Sequence, residues 1–470
     1  MSLVLGIDSS TQSCKAVLVD ASSGTVVTQA RASHPDGTQV DPQAWVDALD
    51  EVCSGLIERA DAVAVAGQQH GMVALDRDGA VVRPAMLWNV TSSAPQAQDI
   101  VAQLGGPQAC AQEIGSVMVA SFTGSKLAWL RDNEPDHAQA TASVALPHDY
   151  LTWQLTGRDE LTTDHGDASG TGYYSTTQRA FLPELAAQFV GHDIALPRIA
   201  EPAEVVGTTS GGVAVAAGTG DNAAAALGLG LRPGEVCVSI GTSGVASAAV
   251  AQPVHDGSGL VAGFCDATGG YLPLACTLNG ARVLDFAARL LGVDHAGLSE
   301  LALQSVPGAH GVTLLPYFDG ERTPNRPDAQ GVLNGLTTAT SREDVARAAV
   351  EGVVHSLRDA VAALEAATGV ETTRILLIGG AARAGALQQV AAEIFGVPVT
   401  VPAPAEYVAL GAARQAAWAL SGKDEPPVWA RAQELVHEPD ASAAEQVAAG
   451  RQRYDFLRDA TGQWGRVPRG

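Results

Sequence analysis

Twice along this chain a short apolar strand runs into a hydroxyl-rich turn and returns as a second strand. The first copy reads Leu3–Asp8, Ser9–Ser13, Lys15–Asp20, with Ser22-Ser23-Gly24 turning into Thr25–Gln29. The second reads Val236–Ile240, Gly241-Thr-Ser-Gly244, Val245–Val250. Short β-rich runs joined by such turns form antiparallel meanders. In each half, strands then alternate with helices. Asp61–Ala66 runs into Gly67-Gln-Gln-His-Gly71 and a strand over Met72–Leu75, while Arg374–Ile378 runs into Gly379-Gly380 and a helix through Phe395. Leu387, Val390, Ala391, Ile394 and Phe395 share one face of that helix, the spacing of an amphipathic helix. The pattern predicts an α/β fold made by structural duplication, despite low identity between the halves.

Size and composition limit the choices further. A chain of 470 residues exceeds what one hydrophobic core usually serves. The turn-rich stretch Leu229-Gly-Leu-Arg-Pro-Gly234 marks the boundary, giving domains over 1–232 and 233–425 and a polar helical tail over 426–470. That tail, ending in Glu445–Asp459, is expected to lie on the surface. A net charge of −23 with no Lys/Arg-rich run argues against a nucleic-acid partner. The six cysteines form no C-x-x-C pair, as expected of reduced thiols. Neither a secretory leader nor a bilayer-spanning run is read, so a cytoplasmic protein is expected, with no membrane partner.

The chemistry concentrates at turns. Val213–Ala226 delivers Asp221 from a β-branched run through Gly218-Thr-Gly220 onto an alanine-rich helix. Glycines permit a backbone path closed to bulkier residues, so this carboxylate can stand at a strand's carboxyl end, where open α/β sheets bind ligands. Asp221 is thereby a candidate general base. A dinucleotide reading of Gly218-Thr-Gly-Asp-Asn-Ala223 fails, because the carboxylate would repel a pyrophosphate and no acidic residue ends the next strand. The chain also lacks a G-x-x-x-x-G-K-[ST] loop. In Asp8-Ser-Ser-Thr-Gln-Ser-Cys-Lys15, hydroxyls, turn amides and Lys15 can cradle an anion, and Asp8 can hold Mg²⁺. Gly241-Thr-Ser-Gly244 repeats the device, and Gly379-Gly380-Ala381 allows close approach by a ring or phosphate. His70, within amide-rich Gly67–Gly71, suits recognition of several hydroxyls, with Trp88-Asn89 and Gly166–Thr171 adding similar groups.

Together these residues resemble the FGGY family of carbohydrate kinases, within the actin-like ATPase superfamily, over nearly the whole chain. Ser121-Phe-Thr-Gly-Ser-Lys-Leu-Ala-Trp-Leu-Arg-Asp-Asn133 resembles one family signature. Gly331-Val-Leu-Asn-Gly-Leu336, with Asp344-Val-Ala-Arg-Ala-Ala-Val-Glu351, resembles the second. Ala66–Gly71, Leu146-Pro-His-Asp-Tyr150, Gly218–Asn222 and Glu321-Arg-Thr-Pro324 look most like the xylulokinase branch. Glycerol kinases carry Arg-Glu where this chain has Gln69-His70.

The resemblance implies two actin-like (ribonuclease H-like) domains with an interdomain active-site cleft, closing over MgATP and a ketopentose. Asp221 is then the general base. Gln69, His70, Trp88 and Asn222 hold the sugar, and Asp8 organises the metal. Thr11, Lys15, Gly241 and Thr242 neighbour the phosphates, while Gly331, Gly380 and Ala381 line the nucleotide site. D-xylulose is the leading acceptor. The alternatives are another ketose, a polyol or a synthetic analogue, or a nucleotide-dependent switch or sugar sensor. A homodimer is left open. Three departures stand out: Val90 and Ser92 where relatives carry Asp and Arg, Gly379-Gly-Ala-Ala-Arg-Ala384 where Gly-Gly-Gly-Ala-Arg-Ser is common, and Leu410 in place of an acid.

Overall fold

The computed structural model describes residues 2–430 and 434–464. They divide into two compact units, one comprising residues 2–231, 250–272 and 405–430, the other 232–249, 273–404 and 434–464.

In the first unit, Leu3–Ser9 (β1), Ser13–Asp20 (β2) and Val26–Ser33 (β3) form the expected antiparallel meander. Ala62–Gly67 (β4) adds in parallel to β1. Beyond it lie Val205–Thr208 (β5) at the edge and Ala214–Ala216 (β6) parallel to β4. Thr219–Gly220 (β7) pairs with the last residues of β4. The β1 and β4 interiors are buried on both faces, so their sequence is apolar throughout instead of alternating. Leu5, Ile7, Val63 and Val65 point to one face, where Trp45, Leu49 and Val52 of helix Gln43–Cys53 pack. Burying a side chain of this size contributes about 1.5–3 kcal/mol.

Val4, Val17, Ala62 and Ala64 point to the other face and meet an alanine stripe, Ala409, Ala412, Ala413 and Ala416, on helix Tyr407–Ser421. Small residues let the helix lie close. A Cβ on Gly6 would stand 1.9 Å from the Ala409 carbonyl oxygen, and one on Gly411 would stand 1.8 Å from that of Ala224. The compact units therefore depart from single cuts near 232 and 425. Residues 405–430 complete the first unit because their alanine-rich helix covers one face of its sheet.

The second unit repeats the design. Glu235–Ile240 (β8), Gly244–Ala248 (β9) and Leu274–Thr277 (β10) form the meander. Arg374–Ile378 (β11) and Val399–Pro402 (β12) follow in parallel, and Glu434–His437 (β13) closes the edge antiparallel. Both sheets thus run meander, two parallel neighbours, antiparallel edge, the duplicated actin-like (ribonuclease H-like) architecture.

Helix Arg342–Thr368 packs on β9 and β10. Ser341 and Asp344 cap its start reciprocally, and Gly369 ends it in a left-handed conformation. Asp344, Arg347 and Glu351 of the second signature are structural in this setting. Arg347 is buried, with Nε 2.7 Å from Glu351 and its guanidinium also on Glu393. Helix Ala444–Ala460 is more than a surface tail, because Tyr454 and Leu457 pack on Leu315 and Tyr317.

Candidate active site

Strand register assembles the first unit's polar edge. Asp8 pairs with Ala66 and Ser9 with Gly67, while Thr219 and Gly220 pair with the same two residues from the opposite side. The carboxyl ends of β1, β4 and β7 therefore lie abreast, bringing Asp8, Gln69 and Asp221 to one edge. Asp221 opens helix Asp221–Leu229.

The turn beneath Asp221 is held from four directions. Gly218 has φ +76°, and a Cβ there would meet the Val65 carbonyl at 2.6 Å and the His148 ring at 2.8 Å. Its own carbonyl accepts from Gln415 Nε2 at 3.2 Å. Thr219 Oγ1 donates to Asp164 Oδ2 at 2.7 Å. Gln69 lies across Gly220, where a Cβ would come within 2.7 Å of its Cγ.

Asn222 Nδ2 donates to Gln69 Oε1 at 2.9 Å and to Asp221 Oδ1 at 3.1 Å. Three of the sequence-derived candidates thus form one hydrogen-bonded group. Burial, reinforced by the facing carboxylates of Asp8 and Asp167, pushes Asp221 up to about 7. The first turn of a helix favours an anion, but desolvation outweighs that here. Asp8 is buried, and burial raises its carboxyl against the opposing effects of Ser10 and Lys15.

His70 follows Gln69 in a left-handed conformation, φ +67°. Its Nδ1 lies 2.8 Å from the Gly170 carbonyl, and its ring sits against Phe122 and Phe264. Trp88, 45% exposed, donates from Nε1 to Thr11 Oγ1 at 2.9 Å, joining two candidates read separately in the sequence. Lys15 Nζ is 2.7 Å from Glu406 and 3.4 Å from Asp8. Burial alone would lower its pKa, but those partners outweigh it and raise it. Val90 is buried and Ser92 exposed.

Two motifs quoted from the sequence, Leu146–Tyr150 and Gly166–Thr171, meet in this wall without having been linked there. His148 and Asp167, fully buried, meet at 2.6 Å, with Asp149 3.3 Å from the same nitrogen. Burial opposes a charged imidazole, yet Asp149 and Asp167 outweigh it and raise His148 to about 9. Asp164 caps the short helix His165–Ala168 while accepting from Thr219. The signal for this network was His148 with Asp149, Asp164 and Asp167 within twenty residues of chain; no local periodicity links them. Glu406 and Lys126 were also unassigned.

In the second unit, Gly241 and Thr242 occupy the exposed turn between β8 and β9, closed by Gly241 N–H to the Ser243 carbonyl at 2.9 Å. The parallel register of β8 with β11, Ser239 opposite Ile378, sets this turn beside Gly379 and Gly380. Gly379 has φ +96°, and a Cβ there would stand 2.5 Å from the Ile240 carbonyl oxygen. Gly380 faces open space, with Ala381 following in a short 3₁₀ turn. Gly331 is not on this sheet. It precedes the short strand Val332–Asn334, where a Cβ would overlap the Phe318 ring at 2.1 Å. Glu321 is buried and pins the segment after β10, accepting from Leu278 N–H at 2.6 Å and Asn279 Nδ2 at 3.0 Å.

The model of the N-terminal domain of the FGGY family of carbohydrate kinases matches residues 3–228, and that of the C-terminal domain matches 236–420. The chain is 48% identical to a xylulose kinase of Streptomyces coelicolor over 437 residues, covering 90% of this chain and 89% of that protein. It is 47% identical to one of Streptomyces rubiginosus over 460 residues, covering 94% and 93%. The crystal structure of xylulose kinase from Bifidobacterium adolescentis superposes with a TM-score of 0.89 at 44% identity, covering 96% of this chain and 99% of that one.

Proposed function

Because the chain belongs to the FGGY family of carbohydrate kinases, we propose that it transfers the γ-phosphoryl group of ATP to the 5-hydroxyl of D-xylulose. The products are D-xylulose 5-phosphate and ADP. The observation that carries this reading is the Asp221–Asn222–Gln69 group, a carboxylate raised to about 7 beside two side-chain amides. The identity to xylulose kinases supports the choice of acceptor.

In this mechanism Asp221 accepts the hydroxyl proton as the sugar oxygen bonds to phosphorus. The bond from phosphorus to the bridging oxygen breaks, and its electrons leave with ADP. A base whose pKa lies near working pH is suited to that task. Gln69, Asn222, His70 and Trp88 orient the sugar. Thr11, Lys15, Gly241 and Thr242 neighbour the phosphates, and Gly380 and Ala381, with Gly331, line the nucleotide. Phosphoryl transfer depends mainly on positioning and charge stabilisation, which turns and fixed amides supply.

Asp8 is the residue that would hold magnesium. Its fit rests on a buried carboxylate, with the Ser9 hydroxyl next in the chain and the amide oxygen of Gln68, whose backbone N–H donates to the Ser9 carbonyl, both buried and without protein partners. Hard oxygen donors of this kind suit magnesium. When bound, the ion would neutralise phosphate charge.

No helix among the described residues is long and apolar enough to cross a membrane. The cysteines are all free thiols, which supports the cytoplasm as working compartment.

The test is coupled ADP release with D-xylulose, ribulose, xylitol and glycerol. The highest kcat/KM is expected for D-xylulose. A higher value for another acceptor would reassign the substrate, and sugar-independent turnover would overturn the kinase reading.

A further inference from the structure

Lys126 is fully buried in the first turn of helix Thr123–Asn133, and no carboxylate among the described residues pairs with it. Its Nζ donates to two backbone carbonyls, that of His70 at 2.7 Å and that of Ser121. Thr123 Oγ1 donates to the same His70 carbonyl at 3.2 Å. Burial pushes the Lys126 pKa well below its ordinary value. Burying an ammonium without a counter-ion is costly, and an apolar side chain of similar volume is often as stable or more so. Packing alone does not explain a lysine here.

His70 supplies the explanation. Its left-handed backbone, φ +67°, turns the carbonyl inward, and inward carbonyls need donors. The ring is fixed separately. A Cβ on Gly170 would stand 2.5 Å from His70 Nδ1, and that nitrogen meets the Gly170 carbonyl at 2.8 Å. Lys126 and Thr123 thus hold the backbone, while Gly170, Phe122 and Phe264 hold the imidazole. The lysine thereby ties the His70 turn to the Ser121 turn that leads into its own helix.

We propose that Lys126 is a positioning residue for sugar recognition, clamping the strained His70 backbone so that Gln69 and His70 face the acceptor in one fixed arrangement. This rests on the reading of Gln69 and His70 as sugar-binding residues. It sets acceptor affinity and leaves nucleotide affinity alone, because its hydrogen bonds reach only the His70 and Ser121 carbonyls.

The experiment compares Lys126→Met, Thr123→Val and His70→Ala with the unaltered protein in steady-state kinetics and thermal melting. Lys126→Met is expected to raise the KM for D-xylulose roughly tenfold or more, with the KM for ATP unchanged and the melting temperature not lowered. Thr123→Val, which removes one donor with little change of volume, is expected to raise the sugar KM to a smaller extent. It decides the matter should Lys126→Met not fold. An unchanged sugar KM in Lys126→Met, or equal rises in both KM values, overturns the clamp. Should His70→Ala also leave the sugar KM unchanged, the reading of the sugar loop falls with it; a raised KM in that variant alone keeps the loop and removes only Lys126.

Discussion

The side-chain amide of Asn222 stands 2.9 Å from Gln69 Oε1. One residue lies just inside a helix and the other just beyond a strand, 153 positions apart in the chain. Their contact orients both amides around the Asp221 carboxylate, to which Asn222 also donates. On the proposed function, recognition of the acceptor and removal of its proton are built on a single hydrogen-bonded group.

Removing the base tests that arrangement. Asp221→Ala is expected to lower kcat by roughly 10²–10⁴-fold, with ATP affinity unchanged in equilibrium titration. Asp221→Asn has a second signature. A carboxyl raised to about 7 in the folded protein stabilises the fold only where it is protonated, and that contribution is lost as pH rises through about 7. The asparagine variant should therefore melt higher than the parent at pH 8, by a margin that shrinks towards pH 4.

The same group sets the pH profile of catalysis. Asp221 must be ionised to accept a proton, so kcat/KM should fall on the acid side with a midpoint near 7, where its carboxyl titrates. Asp8 and Asp167 are the charged groups raising it beyond burial. Asp167→Asn removes one of them, while Asp149 remains beside His148. The acid limb is expected to move to lower pH. A limb that stays in place would assign it to another group.

Gly220→Ala probes the packing above the turn. The added methyl would meet Gln69 Cγ at 2.7 Å, and the amide must swing away. The KM for D-xylulose is expected to rise roughly tenfold, with little change for ATP. Fluorescence melting should show a folded protein.

Arg347→Ala tests the structural assignment of the second signature. It leaves Glu351 and Glu393 buried without their guanidinium partner, a change expected to cost about 3–5 kcal/mol in urea unfolding. The penalty should be larger at pH 8 than at pH 5, since protonation of Glu351, whose carboxyl burial already raises, relieves it. The folded fraction should keep its KM values.

How much of this was legible in the sequence depended on range. Glycine, hydroxyl and amide residues at strand ends mark Asp221, Gln69, His70 and the turns at Thr11 and Thr242, because turn chemistry is local. The duplicated meander was equally readable from short runs. Lys126 was not assigned a role, since its partners, the His70 and Ser121 carbonyls, are backbone atoms and leave no mark in the sequence. The His148–Asp167 pair was missed because nothing near either residue signals the other. Gly331 was read as nucleotide-lining through resemblance alone; the close approach of Phe318, which requires a glycine there, leaves no mark in the local sequence. The alanine stripe of Tyr407–Ser421 was visible as small residues, but which sheet it covers is a matter of topology.

That last contact has a consequence for biogenesis. The floor beneath Asp8 and the neighbour of the Asp221 helix is a segment beginning at Tyr407, and Gly228 abuts the Tyr407 carbonyl, where a Cβ would stand at 2.1 Å. A ribosome must therefore translate past Ser421 before the first lobe can seal its interior. Until then the strands synthesised earliest wait with one greasy side bare, the condition in which nascent chains depend most on chaperones.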